Sequence, residues 1–265
     1  MADLQSSAAD GVATITLNRP ERHNAFDHGL LKGLDQALTS CRDDPEIRVV
    51  VLAARGRSFS AGADLEWMKK MASFSLEENY NDALAMADCF HTLASLNKPT
   101  IALVQGAAYG GGVGLVAASD LAIAAEETSF CFSEVRLGLI PAVISPYIIQ
   151  AMGRRAAGRY FLSAETFSAL EALQLGLVHR VVRGPKLAAE GERYCSLLLN
   201  NSPAAMAAVK ERLLALPPPE DIRAATARWI AEIRCSAEGR EGISAFLEKR
   251  SPSWLHHRQD KSSHV

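Results

Sequence analysis

The sequence predicts an α/β fold with a helical C-terminal region, and three observations lead to this prediction. Residues 47–54 and 100–105 are largely apolar and contain β-branched residues, which is typical of strands covered on both faces. Helical patterns separate these runs in the first part of the chain, and strand patterns cease before residue 200. We therefore predict a core rich in strands and glycines over residues 1–200, in which these patterns alone do not establish a repeated strand–strand–helix unit, and an all-helical region over residues 201–265.

Each predicted element rests on a local pattern. Apolar residues alternate with threonines over residues 13–17, which predicts a half-buried strand. Asp27 is a suitable cap for a helix with an apolar stripe, and Pro99 ends a longer helix over residues 77–96. The other predicted elements are a short helix at Trp67 and Met68, a glycine-dense turn at 106–114, strands at 120–125, 129–132 and 177–182, and helices starting at Ser202-Pro203 and spanning 221–235 and 238–249.

The bulk composition excludes several classes of protein. A formal net charge of −2 argues against a general nucleic-acid binder, which needs a basic excess for its phosphate contacts. No apolar run approaches the roughly 20 residues of a membrane-spanning helix. The five cysteines are scattered without a C-x-x-C pair, which predicts neither structural disulfides nor a metal site. We expect a soluble cytoplasmic protein that binds neither nucleic acids nor membranes.

Two loops of small residues are candidates for ligand contact through the backbone. Residues 61–65 read Ala-Gly-Ala-Asp-Leu, residues 110–112 are all glycine, and each loop follows a buried strand. Such residues let a ligand approach backbone N–H groups closely. For either loop alone, a tight turn or close helix packing is an equally good interpretation. Neither loop reads G-x-G-x-x-G, so a dinucleotide site is set aside.

A third candidate is the carboxyl group of Glu134. It follows the apolar segment Phe130-Cys131-Phe132, and apolar surroundings raise the pKa of a carboxyl toward the working pH of a general acid or base. The alternative is a surface glutamate paired with Arg136. Taken in isolation, this segment favours the alternative.

With their neighbours, these three segments resemble the enoyl-CoA hydratase/isomerase (crotonase) family. The resemblance covers almost the whole chain, and the ordered set of motifs is specific although no single piece is decisive. It implies a crotonase-like superhelix of repeated ββα units with a C-terminal helical trimerisation region, hence a homo-oligomer, either a trimer or a dimer of trimers. The matching segments are residues 18–20, 24–25, 60–65, 98–99, 110–112, 119–120, Glu134 with Leu137-Gly138 and Pro141, residues 176–178, and residues 244–250.

The resemblance also implies roles for individual residues. The backbone N–H groups of Ala63 and Gly111 would form an oxyanion hole around a thioester carbonyl, and Glu134 would be the catalytic acid and base. Coenzyme A is part of the acyl-CoA substrate, and neither a cofactor nor a metal is implied. Residues implied in binding substrate or coenzyme A are Arg22, Ala25, Ala61, Asp64, Leu65, Gly114, Pro141, Val143, Phe246 and Lys249, the last two from a neighbouring subunit.

Two departures from the family pattern narrow the prediction. Typical hydratases of the family carry two glutamates, whereas this chain has Gly114 at the first position, and residues 141–147 replace a glycine-rich segment. The combination resembles bacterial hydratases of 3-methylglutaconyl-CoA, in leucine breakdown, and of isohexenylglutaconyl-CoA, in acyclic terpene breakdown. One hypothesis is that Gly114 leaves space for the carboxylate of such a substrate, which a glutamate ~4 Å away would repel by on the order of 4 kcal/mol.

Two other functions stay open at this point. A Δ3-Δ2 enoyl-CoA isomerase needs only one base, and Glu134 would serve. A noncatalytic acyl-CoA-binding paralogue would keep the two loops, although the presence of Glu134 argues against it. Arg136 is a weak candidate partner for a substrate carboxylate, and Val143, Ile144 and Tyr147 are candidates for an apolar acyl pocket, with core packing as the alternative for each.

Overall fold

The structure, a computed structural model, describes residues 2–71, 73–214 and 230–256. It contains two sheets, built from the strands β1 Leu4–Ala9, β2 Val12–Leu17, β3 Val49–Ala54, β4 Thr100–Val104, β5 Ala107–Tyr109, β6 Leu121–Ala125, β7 Ser129–Cys131, β8 Phe167–Ser168 and β9 Arg180–Val182. The helices are α1 His28–Asp43, α2 Leu65–Met71, α3 Leu76–Ala94, α4 Gly111–Ala118, α5 Ser145–Ser163, α6 Ala169–Gln174, α7 Leu187–Leu199, α8 Pro203–Leu214, α9 Ala237–Leu247 and α10 Ser253–His256.

The larger sheet has the strand order β1-β2-β3-β4-β6-β9. Strand β1 pairs antiparallel with β2, and every other neighbouring pair is parallel. The smaller sheet has the order β5-β7-β8, in which β5 and β7 are parallel and β8 is antiparallel to β7. This mixed α/β architecture confirms the predicted fold class.

Both faces of the larger sheet are covered, as the apolar run at residues 47–54 predicts. Side chains alternate across a strand, so Val50 and Leu52 join the main core, which α1 and α3 cover. Val49 and Val51 point to the opposite face and pack against a smaller cluster that includes residues of α7. Asp27 caps α1 as predicted, because its Oδ1 accepts a hydrogen bond of 2.8 Å from the Leu30 N–H.

Two successive units of the chain have the predicted strand–strand–helix order, β4–β5–α4 and β6–β7–α5. In each unit the first strand belongs to the larger sheet and the second to the smaller sheet. The segment after β3 follows the same course, because Ser60 forms an isolated parallel bridge with Ala108 of β5. The second strands of consecutive units therefore lie side by side.

The sequence pattern misses some elements of the core. Strand β1 lies in a polar N-terminal stretch, where edge pairing with β2 rather than burial stabilises the extended backbone. The glycine-dense turn predicted at 106–114 contains β5 and the start of α4, which forms despite its glycines because the helix is almost entirely buried. The helix predicted at 221–235 lies outside the described residues except for its helical end at 230–235.

Beyond β9 the described chain contains helices only, and a buried ion pair ties α8 to the larger sheet. Lys210 binds Asp120, and its Nζ also donates to the Lys98 carbonyl at 3.0 Å. The same Asp120 carboxylate accepts from the N–H of Thr100 at 2.7 Å and from its hydroxyl at 2.9 Å. The predicted boundary at residue 200 stays a prediction. None of the helices that the structure describes has the length and apolar character needed to cross a bilayer.

Replacing Lys210 by alanine should destabilise the fold. The change removes the cation from a nearly buried pair and leaves the Asp120 carboxylate without its charged partner, which typically costs about 3 kcal/mol. Urea unfolding measures this loss. The matched control is Lys69→Ala, because Lys69 forms an exposed pair with Glu66 and its loss should change the free energy of unfolding by under about 0.5 kcal/mol. Equal effects of the two variants would contradict the anchoring role.

Candidate active site

Three strand segments place the candidate residues next to one another. Ser60 pairs with Ala108, and Ala108 pairs in turn with Phe130 of β7, all in the parallel sense. Neighbouring strands lie about 4.8 Å apart. The chain continues from these positions by three residues to Ala63, by three to Gly111 and by four to Glu134. All three residues therefore lie in neighbouring loops at the same edge of the small sheet.

The first loop leaves the N–H of Ala63 without an acceptor. The backbone of Phe26 pairs with the two neighbours of Ala63. The Phe26 N–H donates to the Gly62 carbonyl, and the Phe26 carbonyl accepts from the Asp64 N–H, each at 2.7 Å. Ala63 itself is exposed, and among the hydrogen bonds of the described chain none engages its N–H. Gly62 has φ of 93°, a conformation that glycine adopts without strain.

The second loop presents the N–H of Gly111 at the start of α4. Gly110 turns the chain with φ of 50° and ψ of −120°, and its N–H donates to the Cys131 carbonyl at 2.9 Å. Gly111 is the first helical residue, where an N–H has no partner within the helix. Within the described residues it finds no acceptor elsewhere either.

Phe26 links these two loops, and no pattern in the sequence indicates this role. Its backbone brackets Ala63, while its ring lies where a side chain at Gly111 would be: a Cβ built there would come within 2.8 Å of the Phe26 ring. Phe26 is 1% exposed. The residue is therefore the spacer between the two N–H groups. A contact across so long a stretch of chain has no local pattern that could reveal it.

Glu134 lies beside the second loop. It is the first residue of a short 3-10 helix, Glu134–Leu137, and a Cβ built at Gly110 would be 3.1 Å from its Oε1. Its Oε2 is buried and has no hydrogen-bond partner among the described residues. Burial raises the pKa of this carboxyl above its ordinary value. The surface pair with Arg136 is not formed, since the Arg136 guanidinium donates to the Ala164 carbonyl instead.

The residues predicted to bind coenzyme A form a second cluster around Asp64. Asp64 is buried and accepts from Arg22 at 2.9 Å and from Arg19 at 3.2 Å. Burial alone would raise its pKa, but the Arg22 hydrogen bond and the N–H groups of Glu66 and Trp67 hold the pKa below its ordinary value. Its Oδ1 also caps the start of α2, so both oxygens of this carboxylate are engaged within the protein.

The other predicted residues of this cluster differ in exposure, and a cavity adjoins the cluster on the side of Arg22 and Asp64. Ala25 is buried, whereas Ala61 and Leu65 are exposed, with Leu65 at 72%. The Ala61 N–H donates to the His23 carbonyl at 3.0 Å, so the predicted loops lie against each other. A cavity of about 900 Å³ adjoins the cluster and is lined by Arg22 and Asp64 among others. Ala63, Gly111 and Glu134 do not line this cavity.

The hypothesis that Gly114 leaves space for a substrate group is wrong. Gly114 is buried, and a Cβ built there would lie 2.3 Å from Cγ2 of Ile144 and 2.7 Å from Cε1 of Phe90. The volume beside Gly114 is thus filled by two core side chains. The sequence reveals the missing carboxylate at position 114 but not the Ile144 and Phe90 side chains that occupy its place.

The remaining predicted residues are divided between the core and the surface. Pro141 is buried and Val143 is half-buried against the main core. Phe246, 81% exposed, and Lys249 lie at the C-terminal end of α9. Within the described chain, no hydrogen bond or ion pair joins these two to the loops of Ala63 and Gly111. Their predicted contact with coenzyme A needs a neighbouring subunit and stays a prediction.

Comparisons with known proteins agree with this arrangement. Residues 7–257 match the family model described as enoyl-CoA hydratase/isomerase. An enoyl-CoA hydratase from Shewanella pealeana is 46% identical, superposes with a TM-score of 0.93, and the match covers 96% of each chain. The 2,3-dehydroadipyl-CoA hydratase of Escherichia coli K12 is 34% identical over 96% of this chain and 99% of its own length.

A further solved structure, AtuE of Pseudomonas aeruginosa, is 35% identical with a TM-score of 0.91, and the match covers 96% of this chain and 99% of that one. Relatives named hydratases therefore match nearly the full length of the described fold, including the loops of the candidate site. These matches support an enzyme of the enoyl-CoA hydratase type that acts on coenzyme A thioesters. The chain belongs to the enoyl-CoA hydratase/isomerase family.

Proposed function

We propose that this enzyme adds water across the C2–C3 double bond of a 3-substituted glutaconyl-CoA, such as 3-methylglutaconyl-CoA or isohexenylglutaconyl-CoA. One observation supports the proposal above all. Two backbone N–H groups without acceptors, those of Ala63 and Gly111, lie beside the half-buried carboxyl of Glu134. Hydration of an enoyl thioester needs these two kinds of group.

In this proposal the two N–H groups stabilise the negative charge that develops on the thioester oxygen. Attack at C3 moves electrons through C2 to the carbonyl oxygen and gives an enolate. Two fixed donors stabilise this oxyanion, and losing one donor of this kind typically costs about 3 to 4 kcal/mol of transition-state stabilisation. Gly111 adds a further contribution, because it begins α4 and the start of a helix carries partial positive charge.

Glu134 is the proton carrier in this proposal. In its ionised form the carboxylate takes a proton from water while the water oxygen bonds to C3. The protonated carboxyl then returns that proton to C2 as the enolate collapses to the thioester, so the enzyme ends as it began. The pKa of Glu134, raised by burial, brings the protonated form closer in energy to the ionised form, which suits both half-reactions.

The substrate class rests on the environment of position 114 and on the motifs. Gly114 contributes no charge, and the Ile144 and Phe90 side chains beside it are buried in the core, with exposed fractions of 2% and 0%. A substrate that carries its own carboxylate then meets no second protein carboxylate at this position. The E. coli relative is named for a thioester of a dicarboxylic acid, which supports an acyl group with a distal carboxylate.

A second function is favoured by the same single carboxyl. A Δ3-Δ2 enoyl-CoA isomerase moves one proton between C2 and C4 and needs no group to hold water. The two reactions differ in their products, because hydration destroys the conjugated enoyl thioester whereas isomerisation of a 3-enoyl thioester creates it.

Coenzyme A enters this reaction as part of the substrate, and the proposal uses no other cofactor. We propose that Arg22, Ala25, Ala61, Asp64 and Leu65 contact the coenzyme A portion near the cavity that Arg22 and Asp64 line. Phe246 and Lys249 would complete the site from a neighbouring subunit of a trimer or a dimer of trimers. The 81% exposure of Phe246 supports burial against a second copy.

The proposed reaction is tested by following the absorbance of the enoyl thioester. Wild-type enzyme should consume 3-methylglutaconyl-CoA with a kcat/KM at least about tenfold above that for crotonyl-CoA, since a factor of ten corresponds to about 1.4 kcal/mol of differential transition-state binding. Equal efficiency on both substrates would remove the glutaconyl assignment. Migration of the double bond without hydration would favour the isomerase, and binding without any reaction would contradict both.

Glu134→Gln should lower kcat by about 10²- to 10⁴-fold, because the amide neither accepts the proton of water nor returns one to C2. Steady-state kinetics at saturating substrate measure this change. Glu165→Gln is the matched control, since Glu165 is an exposed glutamate paired with Arg159 and should leave kcat unchanged. A Glu134→Gln variant with wild-type kcat would refute the role of Glu134.

Glu134→Gln should also stabilise the protein at about pH 8 and not at about pH 4. Burial raises the pKa of Glu134 in the folded state, so folding favours the protonated carboxyl. The stability that this carboxyl contributes is fully present below its pKa in the unfolded state, and it is lost as the pH rises through its pKa in the folded state. The neutral glutamine avoids this loss, and we expect a gain on the order of 1 kcal/mol at the higher pH. Thermal unfolding at both pH values measures it. An equal gain in stability at both pH values would contradict the conclusion that the ionised carboxyl of Glu134 is buried.

Gly114→Ala should destabilise the protein, because the added Cβ would overlap Ile144 and Phe90. Overpacking of this kind costs about 1 to 3 kcal/mol. In the double variant with Ile144→Ala, the new methyl group finds space, so the two losses should be less than additive in denaturant unfolding. Strict additivity would mean that Gly114 and Ile144 are not in contact.

A further inference from the structure

The carbonyl of Ala164 accepts hydrogen bonds from two residues, one before and one after Glu134 in the sequence. The Arg136 guanidinium donates to it through Nη2 at 2.5 Å, and the Cys131 thiol donates to it at 3.3 Å. Cys131 precedes Glu134 by three residues, and Arg136 follows it by two. One backbone oxygen on a different element therefore holds the two ends of the segment that carries Glu134.

Ala164 is a firm point of attachment. It ends α5 in a left-handed conformation with φ of 51°, and its N–H donates to the Tyr160 carbonyl at 3.0 Å. The residue is completely buried, with an exposed fraction of 0%. Because Ala164 ends the helix, no later N–H of the helix donates to its carbonyl. The carbonyl is therefore available to Arg136 and Cys131.

The segment that carries Glu134 has little else to fix it. Glu134 opens a 3-10 helix of four residues, and its own Oε2 has no partner among the described residues. The chain that follows is exposed, with Leu137 at 57% and Ile140 at 74%. Over residues 134–140, the bond from Arg136 to Ala164 is the one side-chain hydrogen bond from this segment to another element that the described chain contains.

We propose that Arg136 is a positioning residue: by binding the Ala164 carbonyl it holds the 3-10 helix so that the Glu134 carboxyl faces the loop of Gly110 and Gly111. The inference rests on the proposed role of Glu134. Arg136 touches neither the reacting atoms nor Glu134 itself. Its loss would allow the short helix to shift, and a displacement of about 1 Å in a catalytic group can lower a rate about 100-fold.

The geometry separates this role from an electrostatic one. The guanidinium is directed at Ala164, and no ion pair between Arg136 and Glu134 occurs in the described chain. Burial is the cause that raises the pKa of Glu134. A positioning residue should change kcat while the pH at which Glu134 titrates stays the same. A residue that acts through its charge would move that pH.

The test compares wild type, Arg136→Ala and Arg136→Lys in steady-state kinetics across pH on the preferred enoyl-CoA. We expect Arg136→Ala to lower kcat by about 10- to 100-fold, with KM and the midpoint of the acidic limb unchanged. Lysine can still donate to the Ala164 carbonyl, so Arg136→Lys should recover part of kcat. Hydrogen exchange of the amides of residues 134–139 should be faster in Arg136→Ala than in wild type, which tests the attachment independently of activity.

Arg159→Ala is the matched control. Arg159 lies on α5 close to Ala164, but its guanidinium pairs with Glu165, and none of the hydrogen bonds or ion pairs of the described chain joins it to the helix of Glu134. It should leave kcat and the exchange of residues 134–139 unchanged. If Arg136→Ala does not fold, Arg136→Met provides the same comparison with a long side chain that has no donor for the Ala164 carbonyl.

The outcomes distinguish this inference from the proposed function. Wild-type kcat in Arg136→Ala, with Glu134→Gln inactive, would overturn the positioning role and leave the role of Glu134 intact. A shift of the acidic limb in Arg136→Ala would also overturn it, in favour of a charge effect. Full activity of Glu134→Gln would instead refute the proposed function, and the exchange measurement would then still decide whether Arg136 holds the segment.

Discussion

The parallel register that sets Ser60, Ala108 and Phe130 side by side is the constraint on which the site depends. Ala108 and Phe130 belong to the small sheet and Ser60 forms a bridge beside it, and from each position the chain continues within three or four residues to Ala63, Gly111 or Glu134. The hydrogen bonds between the strands fix the spacing at about 4.8 Å. A repeated unit therefore delivers two backbone donors and one carboxyl to the same place without any long-range contact between their side chains.

Within the described chain, the N–H groups of Ala63 and Gly111 have no acceptor, and Gly111 is buried whereas Ala63 is exposed. The unfavourable contribution to folding is therefore expected at Gly111, because an unsatisfied polar group costs on the order of 1 to 3 kcal/mol when it is removed from water. The fold holds this arrangement through Phe26, whose backbone pairs on both sides of Ala63 and whose ring packs against Gly111. The buried, unpartnered Oε2 of Glu134 is a third group of the same kind. Unsatisfied groups that cluster in one place are expected where a ligand supplies the missing partners.

Among the described residues, Glu134 is the carboxyl beside the two candidate loops, and core side chains occupy the place of a second one at position 114. Ile144 and Phe90 fill the volume beside Gly114, so a side chain at that position would require the core to rearrange. In the proposed reaction all proton transfer falls to Glu134, so its orientation is more important than in a site with two carboxylates. The attachment of its short helix to Ala164 through Arg136 and Cys131 meets this requirement.

The sequence by itself determined the family, the alternation of strands and helices, and the small residues around the two loops. These are local properties: β-branched runs, a capping Asp27 and a glycine triplet each act through their immediate neighbours in the chain. Only the tertiary structure decided that Phe26 spaces the two loops, that Ile144 closes the volume beside Gly114, and that Arg136 binds Ala164 rather than Glu134. Each of these contacts joins residues that are far apart in sequence. Their partners are set by how the two sheets and α5 pack together, and a pattern of adjacent residues carries no information about that packing.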